Sequence, residues 1–319
     1  MKAILTLIII LQTVIALCQN KEDNKMPHLL KNDNLEIQID LPMANYNFSR
    51  FDWTGKTVSV KYKDIFISGT ESNDSTINNA KGRGFYNEFG IDRPVGFDDI
   101  EEGDFFHKIG IGLLKKEGKR YDFSKKYEIE PATFKVTSEI DFIRIECMSQ
   151  YVNGYSYILI KEIELLESGF VVRYHLKNTG EKTIKTDEYN HNFLAIDEEL
   201  MGSKYILKFP FQLEPDSFNA RVNPDGKVEI NQNDISFNGT PNEQFFFSNL
   251  SGGKYVGAIW ELINTKSKIG ISETGSFETN KINLWGSSHV ISPELFYDVN
   301  VKPGHSIEWS RTYNVFEIE

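Results

Sequence analysis

Apolar residues recur at every second position in run after run of this chain, and no long capped stretch repeats them at helical spacing. In Leu35-Glu36-Ile37-Gln38-Ile39-Asp40-Leu41 the apolar side chains point one way and the polar ones the other, the pattern of a half-buried strand. Similar runs occur at Val58-Ser59-Val60-Lys61-Tyr62, Tyr127 to Val136, Ile143-Arg144-Ile145-Glu146-Cys147, Tyr155 to Leu165, Phe170 to Leu176, Tyr205 to Phe209, Tyr255 to Trp260 and Ile307 to Val315. Turn sequences such as Asn178-Thr179-Gly180, Asn223-Pro224-Asp225-Gly226 and Lys302-Pro303-Gly304 separate them. The expected class is therefore mainly β, as a large antiparallel sandwich. With 319 residues, 40% of them hydrophobic, the chain can bury one large core, and residues 34–319 are expected to form a single domain.

The first 18 residues read as an export signal: Lys2, an apolar run from Ala3 to Leu11 that resumes at Val14 to Leu17, then a charged stretch at Lys21-Glu22-Asp23. Ala16 and Cys18 fit cleavage after Cys18; alternatively Ile15-Ala16-Leu17-Cys18 is a lipobox and Cys18 becomes the lipidated first residue. Either way the protein is expected to be exported, to the periplasm or to the outer membrane as a lipoprotein. Its only expected membrane attachment is through Cys18. Residues 19–33 read as a linker. Cys147 then has no cysteine partner, and its alternation with Ile143 and Ile145 makes it a core residue. The net charge of -11, with no basic cluster clear of acidic neighbours, excludes a nucleic-acid partner.

Two stretches interrupt the strand pattern informatively. Between Ser68 and Gly112 the alternation gives way to a glycine-bearing segment that includes Gly82-Arg83-Gly84-Phe85-Tyr86-Asn87-Glu88-Phe89-Gly90. Its length and aromatic content suit either the wall of a ligand cleft or a packed flap. The second stretch is Asp187-Glu188-Tyr189-Asn190-His191-Asn192-Phe193, which sets one imidazole among amides, a phenol and carboxylates at a strand end. Such a histidine can move protons, though a lone histidine can equally be structural.

The chain resembles the galactose mutarotase-like superfamily, the aldose 1-epimerases and their relatives, over roughly residues 35–317. The resemblance rests on Ser49-Arg50-Phe51-Asp52-Trp53-Thr54-Gly55, on Tyr174 to Gly180, on Asn190-His191-Asn192-Phe193, and on Val301-Lys302-Pro303-Gly304 before a strand ending Arg311-Thr312-Tyr313. It implies a β-supersandwich, a sugar or oligosaccharide as partner, no cofactor or metal, and His191 as general acid. Changing one anomer into the other requires removal of the anomeric hydroxyl proton and protonation of the ring oxygen, so a base must accompany the acid. By the resemblance the base is a glutamate on a strand before the Pro-Gly turn, and there Ile282-Asn283-Leu284-Trp285-Gly286 offers Trp285 instead. Glu294, in Ser292-Pro293-Glu294-Leu295-Phe296, is the nearest substitute, on what its proline suggests is a loop. The second histidine of a His-Gly-Gly motif has no counterpart.

Candidate sugar contacts are Arg83 and Glu88, whose fixed donors and acceptors suit polyols, Asn190 beside the acid, Trp285 as an apolar face, His289 at a cleft rim, and His107, which also reads as a plain half-buried residue. Arg50 and Asp52 are expected to pair with each other or with backbone. The chain lacks a phosphate-binding glycine loop, a Gly-x-Ser-x-Gly elbow and a His-Glu-x-x-His motif. Two readings follow: a sugar isomerase, an aldose 1-epimerase or related epimerase with His191 and Glu294 as acid and base, or a non-catalytic sugar-binding or accessory protein of polysaccharide utilisation. A lyase or hydrolase using Tyr86 or Tyr189 is a third.

Overall fold

The computed structural model describes residues 26–72 and 81–319. The stretch read as an export signal, with Cys18, lies outside the described residues. A ten-stranded antiparallel sheet runs in the order Val228–Ile230, Asp234–Phe237, Tyr205–Lys208, Val256–Asn264, Ile269–Thr279, Ser306–Glu317, Gly169–Asn178, Tyr157–Leu166, Phe142–Met148, Thr133–Ser138. It faces a seven-stranded sheet whose main path is His28–Lys31, Leu35–Asp40, Lys56–Tyr62, Phe85–Phe89, Ile184–Asn192, Tyr297–Val301. The alternating residues meet between them: Ile37, Ile39, Val60, Ile143, Ile145, Cys147, Leu159, Ile163, Leu176 and Val315 join one continuous buried cluster. A four-stranded sheet (Ala220–Val222, Phe245–Ser248, Ile282–Gly286, Ile291–Leu295) and a three-stranded one (Phe105–Lys108, Gly112–Lys115, Ile129–Pro131) complete the architecture. A second, largely aromatic cluster of Tyr46, Phe51, Trp53, Tyr86, Phe97, Phe106, Tyr127 and Phe193 forms a separate apolar layer.

The mainly antiparallel sandwich agrees with the sequence reading, and the differences are local. The stretch read as linker contains the strand His28–Lys31, which pairs with Leu35–Asp40. The run from Tyr127 to Val136 is two strands in different sheets. It breaks at Ala132, whose N–H bonds Ile111 O, just after Pro131, which has no N–H to give a ladder. The segment 68–112 is not one loop. Phe85–Phe89 is a strand paired with Ile184–Asn192, and Phe105–Lys108 with Gly112–Lys115 is a hairpin. Phe85–Phe89 escapes an alternation test because all five residues are buried, as in a strand covered on both faces.

Gly84 admits the chain to that strand. It has φ +62°, and a Cβ there would stand 2.2 Å from Thr57 O and 2.8 Å from Val58 C. Both obstacles are backbone. Gly84→Ala is expected to cost about 3 kcal/mol, combining left-handed strain with the clash, measured as a lower urea midpoint at unchanged m.

Candidate functional site

The strand Ile184–Asn192 serves two faces because its side chains alternate. Glu188, Asn190 and Asn192 point toward the ten-stranded sheet. Glu188 accepts hydrogen bonds from Arg311 Nη2 (2.7 Å), Arg311 Nε (3.2 Å) and Trp309 Nε1 (3.1 Å). Asn190 Nδ2 donates to Tyr313 OH (2.6 Å), and Asn192 Nδ2 donates to Glu273 Oε2 (2.8 Å) and Pro293 O (2.9 Å). Tyr189 and His191 face the other way, with Phe193 continuing their side. His191 stacks on Phe193 (4.2 Å between centroids, 9°) and meets Phe51 and Trp285 edge-on at 6.1 and 5.2 Å.

Beyond Asn192 the chain bridges to the four-stranded sheet, Leu194 and Ile291 exchanging backbone hydrogen bonds of 3.0 and 3.1 Å. This brings Glu294 to His191. Glu294 sits in the strand Ile291–Leu295, not in a loop; Pro293 pairs in register with Leu284, and Asn283 with Glu294. Ile291 and Leu295 enter the core, so Ser292 and Glu294 take the opposite face. His191 Nε2 lies 3.4 Å from Glu294 Oε1, their side chains 4% and 7% exposed. The carboxylate strand is thus the one after the strand holding Trp285.

Arg50 completes the charged surroundings. Its Nε donates to Glu88 Oε2 (3.0 Å), its Nη2 to Tyr189 OH (3.3 Å), and its Nη1 is 3.6 Å from Glu71 Oε1. Lys108 Nζ donates to Glu88 Oε1 (3.1 Å), and Tyr189 OH to Glu88 Oε2 (2.8 Å). Burial lowers His191 well below the ordinary histidine value, and the Arg50 charge lowers it further. Burial raises Glu294 to about 8, with Arg50 opposing and the Glu88 charge adding to the rise. At neutral pH the carboxyl keeps its proton and the imidazole is neutral. The pair therefore holds one exchangeable proton and no net charge.

The Glu294 shift carries a stability prediction. Its folded value, about 8, exceeds the ordinary 4.5, so stability falls as pH rises through that interval. His191 acts oppositely, because its folded value lies below 6.5 and it costs stability as pH falls below 6.5. Between pH 6.5 and about 8 only the carboxyl's effect is left of these two. The urea midpoint of the wild type is expected to decline across that window, and that of Glu294→Gln to lose this part of the decline.

Of the sequence candidates, His191, Glu294 and Trp285 come together, the indole edge-on to the imidazole. Glu88 lies behind them, fully buried in the ion cluster and inaccessible to a sugar hydroxyl. Asn190 is on the inner face of its strand, turned away from His191 and spent on Tyr313. Arg83 pairs with Asp40 Oδ2 (3.1 Å). His289 bridges Ser287 Oγ and Thr70 O at 3.0 Å each. His107 is buried between Tyr155 and Tyr157, and burial lowers it to about 4, so it reads as a packed neutral ring. Arg50 and Asp52 do not pair with each other: Asp52 takes the N–H and hydroxyl of Thr54 and an ion pair from Lys161 (3.1 Å). Arg50 beside the pair is what the sequence reading missed, since its partners lie 38 and 139 positions away. A cavity of about 560 Å³ on the ten-stranded sheet, lined by Arg144, Glu162, Arg173, His175 and Glu308, contains none of the candidates.

The antiparallel scaffold that carries this pair is a fold known from solved structures. The galactose mutarotase related enzyme from Lactobacillus acidophilus superimposes with TM-score 0.56 at 12% identity, covering 92% of this chain and 100% of that one. A candidate aldose 1-epimerase from Escherichia coli K12 gives 0.59 at 9% identity over 92% and 99%. The galactose mutarotase-like protein from Lactobacillus casei ATCC 334 gives 0.55 at 13% over 91% and 100%. The chain has the galactose mutarotase-like fold, as a sequence-divergent example of it. No protein-family profile matches the sequence, and no curated protein matches it.

Proposed function

We propose that the chain is a sugar isomerase of the aldose 1-epimerase type, with His191 and Glu294 as its proton-transfer pair. The observation that carries the reading is their side-by-side placement, Nε2 to Oε1 3.4 Å, in a nearly water-free site walled by Trp285. The ring oxygen and the anomeric hydroxyl oxygen are bonded to the same carbon. The groups serving them can therefore lie next to each other and need not grip the sugar from two sides.

The cycle needs only one proton on the pair. In ring opening, one member protonates the ring oxygen as the other accepts the anomeric hydroxyl proton; the C1–O5 bond breaks and C1 becomes the aldehyde carbon. Rotation about C1–C2 presents the other carbonyl face. Ring closure then runs the transfers backward and returns the proton. In the resting pair the proton is on Glu294, so Glu294 protonates the ring oxygen while neutral His191 accepts the anomeric hydroxyl proton, the reverse of the order that the family resemblance implies. Loss of the shared proton above about pH 8 is expected to stop turnover.

The burial of the pair, 4% and 7%, also favours a second reading, a sugar-binding protein in which it is purely structural. Mutarotation of freshly dissolved D-galactose, D-glucose and D-xylose, followed by polarimetry in dilute buffer, decides between them. Acceleration by the wild type that vanishes in His191→Ala supports the isomerase. Sugar affinity without acceleration supports the binder. We also propose, from the apolar N-terminal stretch, export to the cell envelope, which fractionation with labelled palmitate would test.

A further inference from the structure

Arg50 is held in a manner that leads outward from the pair. Its donors face Glu88, Tyr189 and Glu71, while its guanidinium carbon lies over two aromatic rings, 4.5 Å from the centroid of Phe51 and 4.6 Å from that of Phe123. Phe51 is fully buried and reaches His191 edge-on. Phe123 is 40% exposed, a large apolar ring left facing water.

Exposed aromatic residues in loops need no explanation when they hang free, but this one is fixed on both sides. Ser49 Oγ, next to Arg50, donates to Lys125 O (2.9 Å), and Asp122 N donates to Tyr127 OH (3.0 Å). Asp122 Oδ1 accepts from Ser124 N (2.9 Å) and Ser124 Oγ (2.6 Å), closing the turn around Phe123. The loop thus holds an aromatic face in place beside the arginine whose charge bears on both His191 and Glu294.

We infer that Phe123 is a specificity-determining residue, the platform against which the apolar C–H face of a pyranose lies while its anomeric end meets His191 and Glu294. The inference rests on the isomerase reading for its substrate. Aldopyranoses carry such a face on one side of the ring and hydroxyls around the rim. A ring stacked on Arg50 can take that face without spending a polar group. The platform selects against rings with an axial hydroxyl on the stacked face, which would stand the sugar off the aromatic surface. Trp285 contributes a second partly exposed aromatic surface from the four-stranded sheet.

The test uses the full chain with Phe123→Ala, Phe123→Leu and Phe123→Trp, read by mutarotation kinetics and by calorimetric titration with D-glucose and D-galactose. Phe123→Ala and Phe123→Leu are expected to raise KM and Kd about tenfold while kcat changes much less, and Phe123→Trp is expected to restore both. Because Leu fills much of the same space, failure of Leu with rescue by Trp identifies the aromatic face, not bulk. If the wild type turns sugars over and all three variants match it in KM, the platform is overturned and the isomerase reading stands. If the wild type binds without turnover and Phe123→Ala loses that binding, the platform stands and the isomerase reading falls. If the wild type neither binds nor turns over these sugars, both fall. Urea melts of each variant confirm that the fold is intact.

Discussion

Glu294→Gln is expected to reduce mutarotation by about 10²- to 10⁴-fold, the range that a positioned acid or base contributes. The amide keeps the shape of the carboxyl and can still hydrogen-bond His191, but it can neither hold the shared proton nor receive one. The same substitution is expected to stabilise the protein at alkaline pH. Burial raises the carboxyl to about 8, and above that value the wild type must carry a charge in a nearly dry site. Activity and stability should therefore move in opposite directions, as destabilisation cannot explain. Paired polarimetry and urea melts at pH 7 and above 8 measure both. Glu294→Gln with wild-type turnover would remove the carboxyl from the mechanism.

Arg311→Met is expected to cost about 3–5 kcal/mol, the scale for breaking a buried ion pair by removing one partner. Arg311 is wholly buried and is shared by two carboxylates. Nη2 is 2.7 Å from Glu188 Oε2, Nη1 is 2.6 Å from Glu273 Oε1, and Nη2 also donates to Leu295 O at 2.9 Å. Trp260 Nε1 and Asn192 Nδ2 add donors to Glu273 at 2.9 and 2.8 Å. Without the guanidinium two carboxylates share a dry site, and neither neutral donor can offset both charges. Converting Glu188 and Glu273 to Gln in the same chain should recover much of the loss, since the penalty belongs to the unpaired charges. Thermal melts of the single and triple variants measure this; equal stability of the two would show that lost packing dominates.

The periodicity of the sequence exposes the half-buried strands and so the fold class, because alternation is a direct image of a sheet with one dry face. It fails at Phe85–Phe89, where both faces are covered and the run is buried throughout. His191 is legible because its neighbours in sequence are its neighbours in the motif. Glu294 is legible as a residue but not as a strand position, since Pro293 argues for a loop and only tertiary pairing with Leu284 overrides it. Arg50, Glu88, Lys108 and Arg311 are invisible for another reason. Their side-chain hydrogen-bond partners are brought by sheet order from 20 to 139 positions away, and no local pattern of charge encodes such a contact. Asn190 misled for a simpler one. A strand sends adjacent side chains to opposite faces, so the residue beside the imidazole is the one that cannot share its site.

The strand Ser306–Glu317, later in the chain than any other described strand, occupies the middle of the ten-stranded sheet, between Ile269–Thr279 and Gly169–Asn178. Synthesis must therefore deliver the whole strand before the two halves of the sheet can join, and Arg311 arrives with it. Folding intermediates up to that moment carry two open strand edges and two uncompensated carboxylates. They should fold slowly and lean on holding chaperones, as expected when the decisive pairings are far apart in sequence. Chains cut before Ser306 should aggregate, while a tag appended after Glu319 leaves the closing strand free to insert.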